Sequence, residues 1–327
     1  MKIIVGIYSS FVAWQIPEAQ VEWLRREFPE HTFVRVDDDE AMQEAIVDAE
    51  VAFSSLVRPA HFAAARVLRW IHSPAAGVGA MLFPAMVASP IVLTNSRGNS
   101  AVSIAEHVMA VALALFRRLP LASARQRERV WAQDELTLDP PIRTLRGARV
   151  LVVGLGAIGA ETARLALAFG ADVAAIRRHP DTPREVPVAE VVAPERLHDQ
   201  LPRADVVVVA APQTAETWHL VGAPELALMK EDAVLVNISR GRLVDEAALA
   251  AALDRGRLRG AALDVFEEEP LPADSPLWQH PRVIVTPHIS GLHSRYWPDA
   301  AALFAENLRR FLSGRPLINL VDKRAGY

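Results

Sequence analysis

One stretch constrains the fold more than any other: residues 149–170, with the sequence RVLVVGLGAIGAETARLALAFG. It opens with the apolar run Val150–Val153, which is short and β-branched, as in a buried parallel strand. Gly154, Gly156 and Gly159 follow with the spacing G-x-G-x-x-G, and apolar residues then recur at helical spacing until the next glycine. The stretch therefore predicts a strand, a tight turn and a helix.

Each glycine of this turn has a physical role in dinucleotide binding. Gly154 permits the tight turn, Gly156 lets a pyrophosphate approach the backbone, and Gly159 lets the helix pack closely on the strand. The free N–H groups at the helix start, where Ala157 and Ile158 lie, favour an anion together with the positive end of the helix dipole. An ordinary strand–helix turn is the alternative, but the flanking strand and helix favour dinucleotide binding.

The next predicted strand ends without a carboxylate. Domains that bind NAD place Asp or Glu there to accept hydrogen bonds from the ribose 2′-hydroxyl, whereas domains that bind NADP have arginine near the added phosphate. Here Arg177 and Arg178 follow Ile176, and two guanidinium groups can pair with a phosphate dianion. They can also form a solvated strand end. We expect NADPH as the favoured cofactor, with NAD as the alternative.

Composition limits the class of protein. A length of 327 residues suggests two domains, and 51% hydrophobic with 23% charged residues is typical of a soluble globular protein. The net charge of −4 implies no basic face for nucleic acid, and the absence of cysteine excludes disulfides and cysteine-ligated metals. The sequence has no H-x-x-x-H motif and no local cluster of histidine and carboxylate residues, so we expect no metal site. No apolar run has membrane-spanning length and the first residues lack a signal pattern, so we expect a cytoplasmic protein without a membrane partner.

The rest of the chain alternates short apolar strands with amphipathic helices, which predicts parallel sheets covered by helices. Residues 1–98 carry no phosphate fingerprint and are expected, with 292–327, to form a flavodoxin-like substrate domain. Residues 99–291 are expected to form a Rossmann dinucleotide-binding domain, and the chemistry to lie in the cleft between two doubly wound domains. Predicted strands are Ile3–Ile7, Thr32–Val36, Val51–Phe53, Trp70–His72, Ile91–Thr94, Asp172–Ile176, Val206–Ala210, Ala233–Asn237, Gly260–Val265 and Val283–Val285. Predicted helices outside the fingerprint are 17–28, 40–49, 101–118 and 298–313.

The charged segment 125–146 has no regular period and is predicted to be an arm or connecting surface, with Trp131 as a packing anchor. The side chain of the substrate cannot be read from the sequence. The segment 54–57, Trp131 and Tyr296 are candidates for the wall of a substrate pocket, and each can equally be a packing residue.

Three polar residues follow late strands: Arg240, Glu269 and His288. Hydride transfer to a 2-keto acid requires a cation for the carboxylate, a proton donor for the carbonyl oxygen and a group that keeps this donor charged. Arginine, histidine and glutamate supply these in turn. Taken singly, the same residues are typical of a solvated turn, a structural histidine and an exposed acidic run.

Four ordered motifs, GLGAIG, SRGRLVDEAAL, ALDVFEEEPLPADSPLW and TPHISG, resemble the D-isomer-specific 2-hydroxyacid dehydrogenase family, including its glyoxylate/hydroxypyruvate reductase branch. AAGVG, SIAEHV and the C-terminal NLVDKRAGY extend the resemblance over nearly the whole chain. It implies hydride transfer between NADP(H) and a 2-keto or D-2-hydroxy acid. It also implies a homodimer formed through the nucleotide domain.

The resemblance assigns roles to individual residues. Arg240 binds the substrate carboxylate and carbonyl, His288 is the acid/base, and Glu269 is the partner of His288. The backbone N–H groups of Ala76 and Gly77 hold the substrate carboxylate. Further positions implied to contact the cofactor are Ser103, Pro212, Thr217, Ile238, Asp264 and His288. The usual acidic residue of the family falls at Arg177 here, which again favours NADPH over NAD.

Two other functions remain open. A nucleotide-sensing, corepressor-like binding protein is built on the same scaffold, and fold alone does not fix function. The intact Arg240, Glu269 and His288 set argues against a purely binding role. A phosphite dehydrogenase uses a similar triad, whereas formate dehydrogenases have glutamine in place of Glu269 by the same resemblance.

Overall fold

The computed structural model of the chain describes residues 1–138, 140–183 and 186–326. It divides into two compact units, one formed by residues 1–100 with 292–327 and the other by residues 101–291. Each unit has a parallel sheet covered by helices, as the alternating sequence pattern predicts. Within the described ranges, no helix is both long and apolar enough to span a bilayer.

The first unit contains a five-stranded parallel sheet with the order β2-β1-β3-β4-β5. Its strands are β1 (Lys2–Gly6), β2 (Thr32–Arg35), β3 (Val51–Ser54), β4 (Trp70–Ser73) and β5 (Val92–Asn95). Its helices are α1 (Glu18–Glu27), α2 (Asp39–Ala45), α3 (Pro59–Ala64), α4 (Pro84–Ala88) and the C-terminal helix, Tyr296–Leu312. Short 3-10 helices are Val12–Trp14, Ile46–Asp48 and Gly79–Met81. All five predicted strands are confirmed, with ends shifted by at most one residue.

The C-terminal helix belongs to this first unit because its aromatic side chains cover the sheet. Phe304 stacks on Phe53 at 4.4 Å between ring centroids and on Trp70 at 5.3 Å. Beyond the helix, the N–H of Val321 donates to the carbonyl of Leu93 at 2.9 Å, which ties the following segment to β5. The last helix, which was expected to return to the first part of the chain, is grouped with residues 1–100 in one compact unit.

The second unit contains a seven-stranded parallel sheet with the order β12-β11-β10-β9-β6-β7-β8. Its strands are β6 (Arg149–Val153), β7 (Asp172–Ile176), β8 (Glu190–Val192), β9 (Val206–Val209), β10 (Val234–Asn237), β11 (Gly260–Leu263) and β12 (Val283–Val285). Its helices are α5 (Ala101–Phe116), α6 (Leu119–Glu128), α7 (Gln133–Thr137), α8 (Ala157–Ala168), α9 (Leu197–Gln200), α10 (Ala223–Leu228) and α11 (Glu246–Asp254). Short 3-10 helices are Pro194–Arg196, Leu201–Arg203, Ala215–Thr217, Gly241–Leu243 and Pro276–Trp278.

Side chains of the central strand β6 divide between two hydrophobic cores. Leu151 and Val153 lie in the core on one face of the sheet, and Val150 and Val152 lie in the core on the other. Successive residues of a strand point to opposite faces, so a strand buried on both sides must be apolar throughout. Burial on both faces of the sheet therefore explains the uninterrupted apolar runs in the sequence.

The segment 125–146, predicted to be an arm or connecting surface, contains helical structure. The segment Leu119–Glu128 is helical, and a second helix, Gln133–Thr137, follows it. Neither helix has a buried residue in this unit, so no apolar periodicity marks them in the sequence. Trp131 is 90% exposed in this chain, so its role as a packing anchor stays a prediction.

Candidate active site

The glycine turn after β6 is closely packed at two of its glycines and open at the third. Gly154 has a φ of +106°, and a Cβ there would lie 2.6 Å from the backbone nitrogen of Ala211. A Cβ on Gly159 would lie 2.0 Å from the carbonyl oxygen of Gly154. By contrast, a Cβ on Gly156 would have no neighbour within 4 Å. Gly154 thus allows the turn to pack closely on the segment after β9, Gly159 allows the helix to pack closely on the turn, and Gly156 faces open space.

Helix α8 begins at Ala157, directly after this open position. The preceding residue, Gly156, is extended and has no side chain to cap the helix. The N–H groups of Ala157 and Ile158 lie in the first turn, where no intrahelical carbonyl can accept from them. These groups fit a dinucleotide pyrophosphate, and the turn lies where the strand order reverses around β6.

Arg177 and Arg178 follow β7, the strand beside β6, and no carboxylate ends that strand. The Nη1 of Arg177 donates to the carbonyl of Thr182 at 3.3 Å. The Nη2 of Arg178 lies 2.7 Å from Oε2 of Glu216. Both guanidinium groups therefore stand at the carboxyl edge of the sheet, on the side where the adenosine ribose would be bound.

The remaining cofactor candidates also follow strand ends along this edge. Pro212 and Thr217 lie after β9, and Ile238 directly follows β10. The hydroxyl of Thr217 donates to the carbonyl of Pro212 at 2.8 Å and accepts from the N–H of Thr214 at 2.8 Å. On α5, the hydroxyl of Ser103 donates to the carbonyl of Ser290 at 2.7 Å.

Asp264 follows β11, is only 1% exposed and organises the loop that carries His288. Its Oδ1 accepts from the Thr286 hydroxyl at 2.6 Å and from the N–H of Ile289 at 2.9 Å. Its Oδ2 accepts from the N–H of Ser290 at 3.0 Å. His288 has a φ of +53°, a backbone conformation uncommon for histidine, which these contacts on both sides maintain.

The structure brings the side chains of His288 and Glu269 together. Nδ1 of His288 lies 2.7 Å from Oε2 of Glu269, and Oε1 of Glu269 accepts from the N–H of Phe266 at 3.0 Å. Burial alone would raise the pKa of Glu269. The hydrogen bond and charge of His288, the Phe266 N–H and the charge of Arg240 nevertheless lower this pKa below its usual value. The carboxylate is thus held ionised, and it orients the imidazole ring.

Arg240 is brought to the same edge by a close backbone contact. A Cβ on the next residue, Gly241, would lie 1.8 Å from the carbonyl carbon of Phe266, so the turn after β10 packs directly on the chain after β11. Burial lowers the pKa of Arg240, and the charge of Glu269 partly opposes this effect. A guanidinium group removed from water in this way gains more from pairing with an anion.

In the first unit, Ala76 and Gly77 lie in a loop whose carbonyl groups accept hydrogen bonds from residues outside the loop. The carbonyl of Ser73 accepts from Ser96 Oγ at 3.0 Å, and that of Pro74 from Tyr296 OH at 3.1 Å. The carbonyl of Ala75 accepts from the N–H of Ser96 at 3.2 Å, and that of Ala76 from Asn95 Nδ2 at 2.6 Å. The C=O and N–H of a trans peptide point in opposite directions. The N–H of Ala76 therefore points away from Ser96, and the N–H of Gly77 points away from Asn95.

The side chains that hold this loop were not singled out for this role by sequence reasoning. Asn95 ends β5 and Ser96 follows it, next to the strand that ends at the loop, and this position is the signal that could have identified them. Tyr296 is buried and acts through its hydroxyl on Pro74. Ser54 is also buried, with its hydroxyl donating to the carbonyls of Gly6 and Leu56, so it is a packing residue.

Comparison with known proteins identifies the family. Residues 109–290 match the family model described as D-isomer specific 2-hydroxyacid dehydrogenase, NAD binding domain. The glyoxylate reductase of Korarchaeum cryptofilum is 34% identical over 325 residues, covering 96% of this chain and 95% of that protein. The chain belongs to the D-isomer-specific 2-hydroxyacid dehydrogenase family. The family resemblance seen in the sequence motifs is thereby confirmed.

Two further relatives are a longer enzyme and a protein of known structure. The D-3-phosphoglycerate dehydrogenase of Methanocaldococcus jannaschii is 36% identical over 261 residues, which cover 79% of this chain and 48% of that protein. The chain thus spans about half the length of the phosphoglycerate dehydrogenases it matches. An NADPH-dependent glyoxylate/hydroxypyruvate reductase from Sinorhizobium meliloti, solved with NADP and sulfate, has a TM-score of 0.84 and 27% identity. That alignment covers 100% of this chain and 99% of the reductase.

Proposed function

We propose that this protein is an oxidoreductase that transfers a hydride between NADP(H) and a 2-keto or D-2-hydroxy acid of the glyoxylate/hydroxypyruvate class. The observation that carries this proposal is the pair formed by His288 and Glu269, 2.7 Å apart and beside Arg240. The pair stands at the carboxyl edge of a sheet whose central strand leads into the dinucleotide turn. Membership of the family supports the same activity.

Each of the three residues has a distinct task in this reaction. When bound, the cofactor supplies the hydride that reduces C2 of the keto acid. Arg240 pairs with the substrate carboxylate and carbonyl, which orients the keto group and stabilises charge on its oxygen. His288 donates the proton that this oxygen needs to become a hydroxyl, and recovers a proton from solvent. Glu269 holds Nδ1 and stabilises the charged imidazole.

We assign substrate-carboxylate binding also to the N–H groups of Ala76 and Gly77. Their direction, away from the Ser96 N–H and the Asn95 side chain that hold the loop carbonyls, supports this assignment. On this proposal residues 1–98 and 292–327 form the substrate domain, and residues 99–291 the nucleotide domain. A match of residues 109–290 to an NAD-binding domain supports the second assignment.

NADPH is the proposed cofactor in preference to NADH. Arg177 and Arg178 at the end of β7, without a carboxylate there, support this preference. The related Sinorhizobium meliloti reductase was solved with NADP.

We also propose a cytoplasmic homodimer that forms through the nucleotide domain. The exposed apolar side chains of Val130, Trp131 and Leu138 support such an interface, and light scattering after gel filtration tests it.

The first experiment measures initial rates of NADPH and NADH oxidation with glyoxylate, hydroxypyruvate, pyruvate and phenylpyruvate in parallel. We expect turnover with NADPH, and loss of turnover in His288→Ala and Arg240→Ala while NADPH still binds. Near-normal rates in either variant would refute the proposed roles. A parallel assay measures reduction of NADP+ with phosphite. If NADPH binds but neither the keto acids nor phosphite are turned over, a nucleotide-sensing protein is favoured instead.

A further inference from the structure

The ion pair between Arg178 and Glu216 crosses the end of the strand that carries the dinucleotide turn. Arg178 follows β7 and Glu216 lies in the 3-10 turn after β9. Both β7 and β9 are hydrogen-bonded to β6, one on each side. Neighbouring strands lie about 4.8 Å apart, so β7 and β9 are separated by about 10 Å. A 2.7 Å contact between residues beyond their ends must therefore span the carboxyl end of β6.

Both partners of this pair project from fixed backbone. The N–H of Arg177 donates to the carbonyl of Val192 at 2.9 Å, which ties the end of β7 to β8. On the other side, Thr217 holds the turn around Glu216 through its bonds to Pro212 and Thr214. The side chains themselves are largely solvated, with Arg178 42% and Glu216 77% exposed. The pair can therefore open without disturbing the strands.

The two side chains suit different cofactors. A carboxylate accepts hydrogen bonds from the ribose 2′-hydroxyl of NAD, and none is present at the end of β7, where it is usually found. Glu216 supplies a carboxylate from the opposite side of β6. A 2′-phosphate can pair with the guanidinium of Arg178 and would be repelled by Glu216. One pair thus combines the group that recognises NADP with a group that opposes it.

We propose that Glu216 determines cofactor specificity, holding Arg178 in an ion pair that NADPH opens and NADH leaves closed. With NADPH, the 2′-phosphate replaces the carboxylate on Arg178. With NADH, Glu216 remains on Arg178 and accepts a hydrogen bond from the ribose. This inference rests on the proposed nicotinamide-dependent function and adds to it a residue that lowers the preference for NADPH.

The test is Glu216→Gln, with dissociation constants for NADPH and NADH measured by fluorescence titration of the full chain. We expect the Kd for NADPH to fall about fivefold, which is about 1 kcal/mol and matches the upper range for an exposed ion pair. The Kd for NADH should rise about twofold, because a neutral amide oxygen replaces the charged acceptor of the ribose hydrogen bond and accepts it more weakly. The ratio of the two constants therefore changes about tenfold.

Glu231→Gln is a matched control. Glu231 is also 77% exposed and pairs with an arginine, Arg257, at 2.9 Å. It precedes β10 and thus lies at the amino edge of the sheet, away from the dinucleotide turn. The same change in charge there should leave both dissociation constants at their wild-type values. In an Arg178→Gln background, the effect of Glu216→Gln on NADPH should become smaller, because no pair remains to be opened.

The outcomes separate this inference from the proposed cofactor. Equal constants for Glu216→Gln and Glu231→Gln would overturn the role of Glu216, even if the wild-type protein binds NADPH more tightly than NADH. Tighter binding of NADH by the wild type, with no loss of NADPH binding in Arg178→Gln, would overturn the NADPH preference itself.

Discussion

Gly241→Ala should inactivate the protein without preventing it from binding its cofactor. Gly241 is the residue after Arg240, and its Cα faces the peptide group between Phe266 and Glu267. An added Cβ would lie 1.8 Å from the carbonyl carbon and 2.0 Å from the carbonyl oxygen of Phe266. No flexible side chain is involved, so one backbone segment must move.

The size of that movement follows from ordinary contact distances. Carbon atoms in contact are about 3.5–4.0 Å apart, so the segments after β10 and β11 must separate by about 1.7 Å or more. Forcing a methyl group into packed structure typically costs about 1–3 kcal/mol of stability. The larger effect is on Arg240 and Glu269, which these two segments carry. Because misplacement of catalytic groups by 1 Å can cost about 10²-fold in rate, we expect kcat/KM to fall by at least about that factor.

The assay compares kcat/KM for the best keto acid with the Kd for NADPH. The fingerprint turn after β6 is not part of the contact, so Kd should change little. Gly222→Ala is the control, since a Cβ there would meet its nearest atom, Oε2 of Glu225, at an ordinary 3.5 Å. If Gly241→Ala retains more than about a tenth of the wild-type kcat/KM, the argument that this contact positions Arg240 is refuted.

Three further predictions concern polar side chains of the first unit. Tyr296→Phe removes the hydroxyl that holds the carbonyl of Pro74 and should raise KM for the keto acid about fivefold with kcat nearly unchanged, as steady-state kinetics will show. Burial lowers the pKa of His72 to about 3, so below about pH 6.5 the unfolded chain binds a proton there that the folded chain excludes. The free energy of unfolding should fall with decreasing pH by up to ~1.4 kcal/mol per unit from this residue, and urea unfolding of His72→Gln should show a shallower dependence. Lys323→Met removes an ammonium group that donates to carbonyl oxygens at 2.6, 2.9 and 3.1 Å around the end of α4, and should lower the urea-unfolding free energy by about 1–3 kcal/mol.

The parts of the fold that could be predicted are those whose physical cause is local. Strands such as Val206–Val209 are buried on both faces and must be apolar at every position, which distinguishes them at once from amphipathic helices. The sequence was sufficient to predict that the candidate site lies at one edge of a sheet, because Arg240, Glu269 and His288 each follow a strand of one parallel sheet. Carboxyl ends of parallel strands lie side by side whatever the loops between them do.

What could not be predicted depends on contacts between distant parts of the sequence. The hydroxyl of Tyr296 reaches the carbonyl of Pro74 across 222 residues of chain, and no local pattern encodes that meeting. The ion pair of Arg178 and Glu216 is likewise invisible in the sequence, where Arg178 signals only a preference for phosphate. Helices without a buried face in their own unit, such as Leu119–Glu128, lack the periodicity by which a helix is recognised.

The stacking of Phe304 on Phe53 and Trp70 has a consequence for the order in which the chain folds as it is made. A ribosome adds about 5–20 residues per second, so Phe304 emerges roughly 10–50 s after Trp70. During that interval the five-stranded sheet lacks the aromatic cover that the last helix provides, while residues 101–291 are completed as a continuous segment. The five-stranded sheet, although synthesised before residues 101–291, therefore reaches its final packing only after they have been made.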